Sequence, residues 1–414
     1  MMIFVPHHSI IFFLLLLLFC ASTTFESIIS TEIDHQPNKP NEELKLVFLF
    51  HRHGERTPYQ LYPNDPFKDN ITNTVGIGQL INKGKRRLYH LGQYLSKRYY
   101  NQNDGGNHFP IEKKSPRNVY VRSSGSERCL QSVTLLLAGM FPPENQWKWM
   151  NDSLGSLWQP IAIQTVPFDY DSLLNPDYKC PFAEHILNNE IYQSKEAKNI
   201  TKKYRNLFEK LSNWTGYRLN EMNLVNAACI YDILLSEHNF DLPSPEWLND
   251  NIWNELKIIN DYVFQFNSTS RKIQRFRCGA IFGEIFHRLN THFGNDSQSS
   301  SSANDRRHQI YIYSTHDEWL AQFLASMKVY NGIPPSFGST IMLEVYQNSQ
   351  INEPYFKGFY LNSTETESVY PLQFPDCLQP CTLTKFRESI KDLIVENPKQ
   401  LVEQECFVEI KKYL

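Results

Sequence analysis

The sequence predicts an α/β fold with a mostly parallel central sheet, because a buried strand followed by a helix occurs three times. Residues 44–50, 118–121 and 310–315 have the apolar composition of strands buried on both faces. Each run is followed at once by charged or polar side chains and then by a segment of helical character. Because ligands bind at the carboxyl ends of strands in such sheets, we expect these strand ends to form one site.

The first strand ends in Arg-His-Gly-Glu-Arg-Thr-Pro at positions 52–58. Gly54 lets the backbone turn without a Cβ penalty, so two arginines and a histidine are presented together. Guanidinium groups suit phosphate oxygens, and an imidazole between them can act as a nucleophile. The stretch therefore predicts a phosphate site with His53 as its nucleophile.

A loop and a helix follow the first strand. Residues 59–74 are rich in Pro, Asn and Asp, which favours a loop over the site. Leu88, Leu91, Leu95 and Tyr99 then recur at helical spacing within residues 83–100, with basic residues on the other faces. Those basic residues are interpreted as a solvated helix face.

The second strand has Arg122 at its end, and a helix is expected to begin near Ser126. The residues predicted on one face of that helix are Cys129, Val133, Leu136 and Met140. Arg128 is interpreted as a residue that supports the site or as a structural residue.

Residues 158–270 lack buried-strand runs and contain helix-breaking prolines, which predicts a mostly helical cap insertion. A long amphipathic helix is expected over 272–293. The domain prediction is a signal peptide at 1–23, the first part of the α/β domain at 24–157, the cap at 158–270 and the second part at 271–414.

The third strand ends in His316, Asp317 and Glu318, and a helix is expected over 319–328. A His-Asp pair alone is a weak signal. Its place at the same kind of strand end as Arg52 and Arg122 makes the combination specific.

The chain resembles the histidine acid phosphatases, a branch of the histidine phosphatase superfamily that includes prostatic and lysosomal acid phosphatases and phytases. Positions 52–58 match the family's Arg-His-Gly-x-Arg-x-Pro motif, and Arg122 and the His316–Asp317 pair match its later segments. The resemblance implies a phosphoglycerate mutase-like sheet with helices on both faces, a helical cap, and no cofactor or metal.

The resemblance also implies the site. His53 would attack phosphorus and Asp317 would protonate the leaving group. The residues expected to bind the phosphoryl oxygens are Arg52, Arg56, Arg122 and His316. Nearby cations disfavour protonated imidazole and Asp317 must be protonated to donate, so we expect an acid optimum. His51 is interpreted as structural, Glu55 receives no chemical role, and Glu318 is considered as a lid or supporting residue.

Composition and the N-terminus indicate the compartment. Lys plus Arg total 41 and Asp plus Glu total 44, a balance that argues against nucleic-acid binding. The apolar run at residues 10–19 followed by Cys20-Ala21-Ser22 predicts a cleaved signal peptide, with a signal anchor as the alternative, and no further membrane span. We expect secretion or a lysosomal location and glycosylation at Asn70, Asn151, Asn199, Asn213, Asn267, Asn295 and Asn362.

Seven cysteines remain after signal cleavage, so at least one is unpaired. By resemblance, Cys377 pairs with Cys381 and Cys180 with Cys406. The family's remaining bridge cannot form here, because residues 339–346 contain no cysteine. We therefore predict a Cys229–Cys278 bridge and a free, buried Cys129.

The resulting function is hydrolysis of small phosphate monoesters or phosphoproteins by a secreted or lysosomal acid phosphatase. A phytase-like inositol phosphate phosphatase is the main alternative, although the composition shows no clearly basic cap. An inactive secreted binding protein and a mutase are weaker alternatives, because the site residues are retained and the chain carries secretion signals. The oligomeric state is left open, with a homodimer as one option.

Overall fold

The computed structural model describes residues 42–101, 109, 114–294 and 308–412. The predicted signal peptide and Asn295 lie outside these ranges. Within them, eight strands form one sheet with helices on both faces, which confirms the predicted α/β class. In these same ranges no helix has the length and apolar character needed to cross a bilayer.

The sheet has the order β3-β2-β4-β1-β5-β6-β7, and β8 pairs with β6. Strands β1 to β4 are mutually parallel where they pair, whereas β5 to β8 pair antiparallel. The strands are β1 Glu42–Arg52, β2 Val119–Ser123, β3 Gln164–Thr165, β4 Ile310–Thr315, β5 Thr340–Asn348, β6 Ile351–Ser363, β7 Ser368–Leu372 and β8 Cys381–Thr382.

The register brings the three predicted strand ends together. Strand β4 lies between β1 and β2, with Ser314 opposite both His51 and Ser123. Because all three strands run in the same direction, their carboxyl ends emerge at one level of the sheet. The first residues beyond β1 and β4 are His53 and His316.

The α-helices include all those predicted from periodicity. They are α1 Lys68–Asn73, α2 Asn82–Tyr100, α3 Glu127–Met140, α4 Leu154–Leu157, α5 Pro181–His185, α6 Lys195–Lys203, α7 Arg205–Thr215, α8 Leu224–Asn239, α9 Asp250–Thr269, α10 Arg271–Phe293, α11 Asp317–Ser326, α12 Leu383–Ser389 and α13 Pro398–Gln400. Short 3₁₀ helices span Pro116–Asn118, Asn145–Trp147, Phe168–Tyr170 and Glu409–Lys412, and π-helical turns span Ile186–Ile191 and Leu401–Cys406.

Alternate residues of β1 supply the cores on the two faces of the sheet. Phe48 and Phe50 pack with Tyr311 and Tyr313 against α10 and α11. Val47 and Leu49 point to the opposite face and pack against α2 and α3. The strand is therefore apolar on both sides, which is why it reads as a continuous hydrophobic run.

The cap has a core of its own, formed by residues of α6 to α9. The predicted cap range begins earlier than these helices. Its first part, residues 158–180, includes β3, which pairs with β2 at the edge of the sheet. The helical part begins at Pro181, since the preceding segment completes the sheet instead.

The structure contains the Cys180–Cys406 and Cys377–Cys381 disulfides. The predicted Cys229–Cys278 bridge is wrong, because both thiols are free, as is Cys129. Cys229 lies on α8 of the cap, where its Sγ is 3.3 Å from Tyr59 Oη. Cys278 is buried on α10 in the core beneath the sheet. The two helices contribute to different hydrophobic cores, so the two cysteines do not contact each other. The bridge was predicted only because these two cysteines were left after the other pairs were assigned.

Six of the seven predicted glycosylation sites lie in the described residues. Five asparagines are exposed: Asn70, Asn151, Asn199, Asn213 and Asn362. Asn267 differs because it is partly buried and its amide is bonded inside the protein, as described below.

Candidate active site

His53 occupies the end of β1 and is almost completely buried. Its Nδ1 lies 2.8 Å from the carbonyl oxygen of Gly54. A carbonyl only accepts, so Nδ1 carries the proton and Nε2 presents its lone pair. Burial, assisted by the charges of Arg128 and Arg52, holds the pKa of His53 well below its usual value. The imidazole therefore stays neutral in acidic solution.

Gly54 is required by a close approach of two backbones. A Cβ on Gly54 would lie 2.6 Å from the Gly84 carbonyl oxygen at the start of α2. The sequence indicated that a glycine is needed at position 54 for a sharp turn. The structure shows a different reason, which is the close contact with Gly84. The contact places α2 directly against the residue that follows His53.

Arg52 precedes His53 in the chain and forms an ion pair with Asp317. Its Nη2 is 2.6 Å from Asp317 Oδ2, and its Nη1 donates to the Pro335 carbonyl oxygen at 2.8 Å. The guanidinium also stacks over Phe337, 3.8 Å from the ring centroid. Its Nε is buried and has no partner among the described groups. The guanidinium is thus held on two sides and keeps a buried donor.

Arg56 is held by the cap. Its Nη2 donates to both carboxylate oxygens of Asp232, at 2.9 and 3.0 Å, and its Nη1 donates to Ser236 Oγ at 3.0 Å. Asp232 and Ser236 lie one turn apart on α8. The Nε of Arg56 is likewise buried without a partner in the described ranges. A bidentate pair of this kind orients the whole guanidinium plane.

Arg122 is held by the segment that follows β3. Its Nη2 lies 2.8 Å from Asp171 Oδ1, and its Nη1 donates to the Ser123 carbonyl oxygen. Asp171 Oδ1 also accepts from the backbone N–H groups of Leu173 and Leu174. These bonds fix Arg122 at the end of β2, beside β4.

His316 precedes α11 and faces the same site as His53, with ring centroids 5.5 Å apart. Its Nε2 lies 3.0 Å from Ser124 Oγ, and its Nδ1 lies 3.3 Å from Arg128 Nη2. Arginine only donates, so in this arrangement Nδ1 accepts and Nε2 donates to the serine. Burial, followed by the charge of Arg128, holds the pKa of His316 well below its usual value.

Asp317 begins α11, two residues earlier than the predicted helix start. Its Oδ1 accepts from the Glu318 backbone N–H at 3.0 Å, and its Oδ2 contacts Arg52. The carboxyl group is therefore oriented by the first turn of the helix as well as by the arginine.

Arg128 contacts both histidines directly, whereas the sequence indicated only a supporting or structural residue. Its Nε donates to His53 Nε2 at 3.2 Å, and its Nη2 reaches His316. Its position one residue after the start of α3, beyond Arg122, was the available signal. Asp171, Asp232 and Ser236 were also missed, because each lies in the region predicted as an insertion.

The residues set aside in the sequence analysis have structural contacts. Glu55 is buried and forms a bidentate ion pair with Arg87 of α2. His51 is buried inside β1, and burial lowers its pKa to about 4. All six predicted site residues, in contrast, gather around the ends of β1, β2 and β4.

Comparison with known proteins shows the family to which the chain belongs. Residues 43–361 match the model of the histidine phosphatase superfamily, branch 2. Prostatic acid phosphatase of Bos taurus is 34% identical over 364 residues, which cover 86% of this chain and 87% of that protein. Lysosomal acid phosphatase of Xenopus laevis is 30% identical over 376 residues, covering 89% and 80%.

Solved structures show the same fold at lower identity. The apo form of Hafnia alvei phytase has a TM-score of 0.61 and 15% identity, and the match covers 86% of this chain and 98% of that one. The chain belongs to the histidine phosphatase superfamily, branch 2. It is a phosphatase of that superfamily, with a mixed sheet flanked by helices.

Proposed function

We propose that this phosphatase hydrolyses phosphate monoesters in acidic solution through a phosphohistidine on His53. The observation that carries the proposal is the state of His53: its Nδ1–H is bonded to Gly54, and Nε2 holds a lone pair beside three arginines, Arg52, Arg56 and Arg128. Burial and these cations keep the ring neutral at low pH, where a free histidine would be protonated and unable to attack.

The phosphoryl oxygens would be bound by Arg52, Arg56, Arg122 and His316. The unpartnered, buried Nε groups of Arg52 and Arg56 support this role, because a buried donor needs an acceptor. Arg128 would release His53 Nε2 and donate to the phosphate. Ser124 Oγ can donate or accept, so His316 could then present Nδ1–H to the substrate.

Asp317 would act as the general acid. When phosphate engages Arg52, the carboxyl group loses its ion-pair partner and can hold a proton for the leaving oxygen. The bond from His53 Nε2 to phosphorus forms as the bond to the leaving oxygen breaks, and that oxygen takes the proton. Water then attacks phosphorus, its proton passes to Asp317, and the electron pair of the N–P bond returns to Nε2.

The acid phosphatase reading is supported over the phytase alternative by the relatives and by local charge. The acid phosphatases are 29–34% identical to this chain, whereas the likeness to phytases concerns fold alone. Asp177 adds a carboxyl group near Asp317. Where it is ionised, this acidic group suits esters with neutral or cationic leaving groups better than a polyphosphorylated inositol.

We further propose secretion or a lysosomal location with N-glycosylation of the exposed sequons. The apolar run at residues 10–19 and the two disulfides support an oxidising compartment. The prostatic and lysosomal names of the relatives agree with that assignment.

The test is hydrolysis of an aryl phosphate from pH 3 to 8 with a chelator present. We expect wild type to be active and His53→Ala to lose all measurable turnover, with His90→Ala as the control because His90 is an exposed histidine of α2. Wild type quenched in denaturant at alkaline pH should carry one phosphate on His53, and acid should release it. A fully active His53→Ala enzyme with unchanged thermal unfolding would refute the proposal.

A further inference from the structure

A chain of side-chain hydrogen bonds joins the cap to the first turn of α11. Tyr192 Oη donates to Asn267 Oδ1 at 2.8 Å, and Asn267 Nδ2 donates to Glu318 Oε1 at 3.2 Å. The same Glu318 oxygen accepts from Gln322 Nε2, also at 3.2 Å. Tyr192 follows the π-helical turn Ile186–Ile191, and Asn267 lies near the end of α9. Asn267 and Gln322 thus bind the Glu318 carboxyl group directly, and Tyr192 is linked to it through Asn267.

Glu318 connects these hydrogen bonds to Asp317, the proposed general acid. Its backbone N–H donates to Asp317 Oδ1 at 3.0 Å, and Asp317 Oδ2 faces Arg52. Both residues lie in the first turn of α11. A shift of Glu318 therefore shifts the carboxyl group of Asp317.

The surroundings of Glu318 favour its neutral form. Burial first, and then the negative charge of Asp177, raise its pKa to about 7, while Arg277 of α10 opposes the rise. Asp317 adds to the rise, and the Asn267 and Gln322 side chains that touch Glu318 are uncharged. In acidic solution the side chain is a carboxylic acid whose Oε1 accepts two amide hydrogens.

We propose that Glu318 is a positioning residue for Asp317, anchored to the cap by Asn267, and that Asn267 is not glycosylated. This inference rests on the general-acid role proposed for Asp317. A glycan on Asn267 Nδ2 would replace one of its two hydrogens and place a sugar beside the buried Glu318 carboxyl group. The bond thus sets Asn267 apart from the five exposed sequons.

The positioning role predicts selectivity toward the leaving group. A displaced general acid slows esters whose leaving oxygen needs a proton, but hardly affects a nitrophenolate, which leaves without one. We expect Glu318→Ala to lower kcat for an alkyl phosphate at least about tenfold while changing kcat for nitrophenyl phosphate less than threefold. The KM for both esters should stay near wild type, since the arginines are untouched.

The ionisation of Glu318 predicts a pH signature. Glu318→Gln keeps an acceptor oxygen and cannot ionise, so it should recover most of the alkyl phosphate activity at pH 5. Wild-type Glu318 gains a buried charge as the pH passes about 7. The ratio of Glu318→Gln activity to wild-type activity should therefore rise across that pH.

The experiment compares Glu318→Ala, Glu318→Gln and Asn267→Ala, with Glu246→Ala and Asn199→Ala as exposed cap controls. Asn267→Ala should reproduce the selective loss, and its intact mass after secretion should differ from wild type by the side chain alone. It also tests the anchor if Glu318→Ala does not fold. Equal losses for both esters, a flat activity ratio across pH 7, or a glycan on Asn267 would overturn the inference. An active His53→Ala enzyme would instead remove the proposed function.

Discussion

The carboxyl ends of the strands gather histidines among arginines, whereas a loop and the cap helix α8 bring two buried carboxyl groups together. At the sheet edge, burial and the charge of Arg128 lower the pKa of His53 and His316 well below the usual value. Both rings are therefore neutral in acidic solution, and catalysis would not depend on deprotonating them.

The second region is the buried pair of Asp65 and Glu237. Asp65 lies on the loop after the catalytic motif, and Glu237 lies on α8 next to Ser236. Burial first, and then Asp65, raise the pKa of Glu237 to about 9. As an ionised group Glu237 finds no donor in the described part of the chain, so a proton on one of the two carboxyl groups supplies the missing hydrogen bond.

The difference teaches that burial disfavours the charged form of a group. Burial therefore lowers the pKa of a histidine and raises the pKa of a carboxyl group. Neutral histidines leave the site ready in acid. The carboxyl pair keeps its proton when folded, whereas the unfolded chain releases it above the usual glutamate value of 4.5. The folded state therefore loses stability from the pair as the pH rises from about 4.5 to about 9. The carboxyl pair therefore favours folding in acid. The neutral histidines favour folding at higher pH, because below the usual histidine value the unfolded chain binds protons that the buried rings do not.

The largest expected effect tests the chemistry at the sheet edge. Asp317→Asn should bind phosphate but slow hydrolysis of alkyl esters by about a hundredfold to ten-thousandfold, because an amide cannot supply the proton. The loss should be much smaller for nitrophenyl phosphate. Steady-state kinetics on both esters at pH 5 provides the measurement, and equal losses would remove Asp317 from the role of acid.

An intermediate effect tests the cap. Glu237→Gln mimics the protonated acid and cannot ionise, so its free energy of unfolding should fall less than that of wild type between pH 5 and pH 8. One such group changes the slope by at most about 1.4 kcal/mol per pH unit. Urea unfolding at each pH measures the difference.

Glu246→Gln is the matched control, since Glu246 is an exposed cap glutamate. It should follow the wild-type dependence on pH. If Glu237→Gln does the same, the Asp65–Glu237 pair holds no extra proton and the contrast between the two regions is wrong.

The smallest expected effect is a difference in alkylation rate between one thiol in each region. Cys129 is buried at the sheet edge, with its Sγ 3.7 Å from His316 Nε2, whereas Cys229 is half-buried in the cap. We expect iodoacetamide to label Cys229 slowly in the native protein, because burial raises the pKa of its thiol. Cys129 and Cys278 should react after unfolding. Mass spectrometry of non-reduced peptides provides the check. Recovery of Cys229 and Cys278 as a disulfide-linked pair would contradict the free thiols of the structure.

Local patterns allowed much of the fold and site to be predicted. Strand β4 was predicted at its observed bounds, and α2 and α10 within one residue, because burial on both faces and helical periodicity are written in adjacent residues. The start of α11 was missed by two residues. The helix starts there with polar residues, His316 before it and Asp317 as its first residue. A helix start without apolar residues cannot be located from hydrophobic periodicity.

The sequence by itself determined which residues form the candidate site: Arg52, His53 and Arg56 at one strand end, Arg122 at a second, and His316 with Asp317 at a third. Their spacing from buried strands is a local property of the chain. Only the tertiary structure decided what holds them. Arg56 is oriented by Asp232, 176 residues away, and Arg52 meets Asp317 only because β1 and β4 are neighbours in the sheet. Such partners depend on how distant segments pack, and that packing has no periodic signature in the sequence.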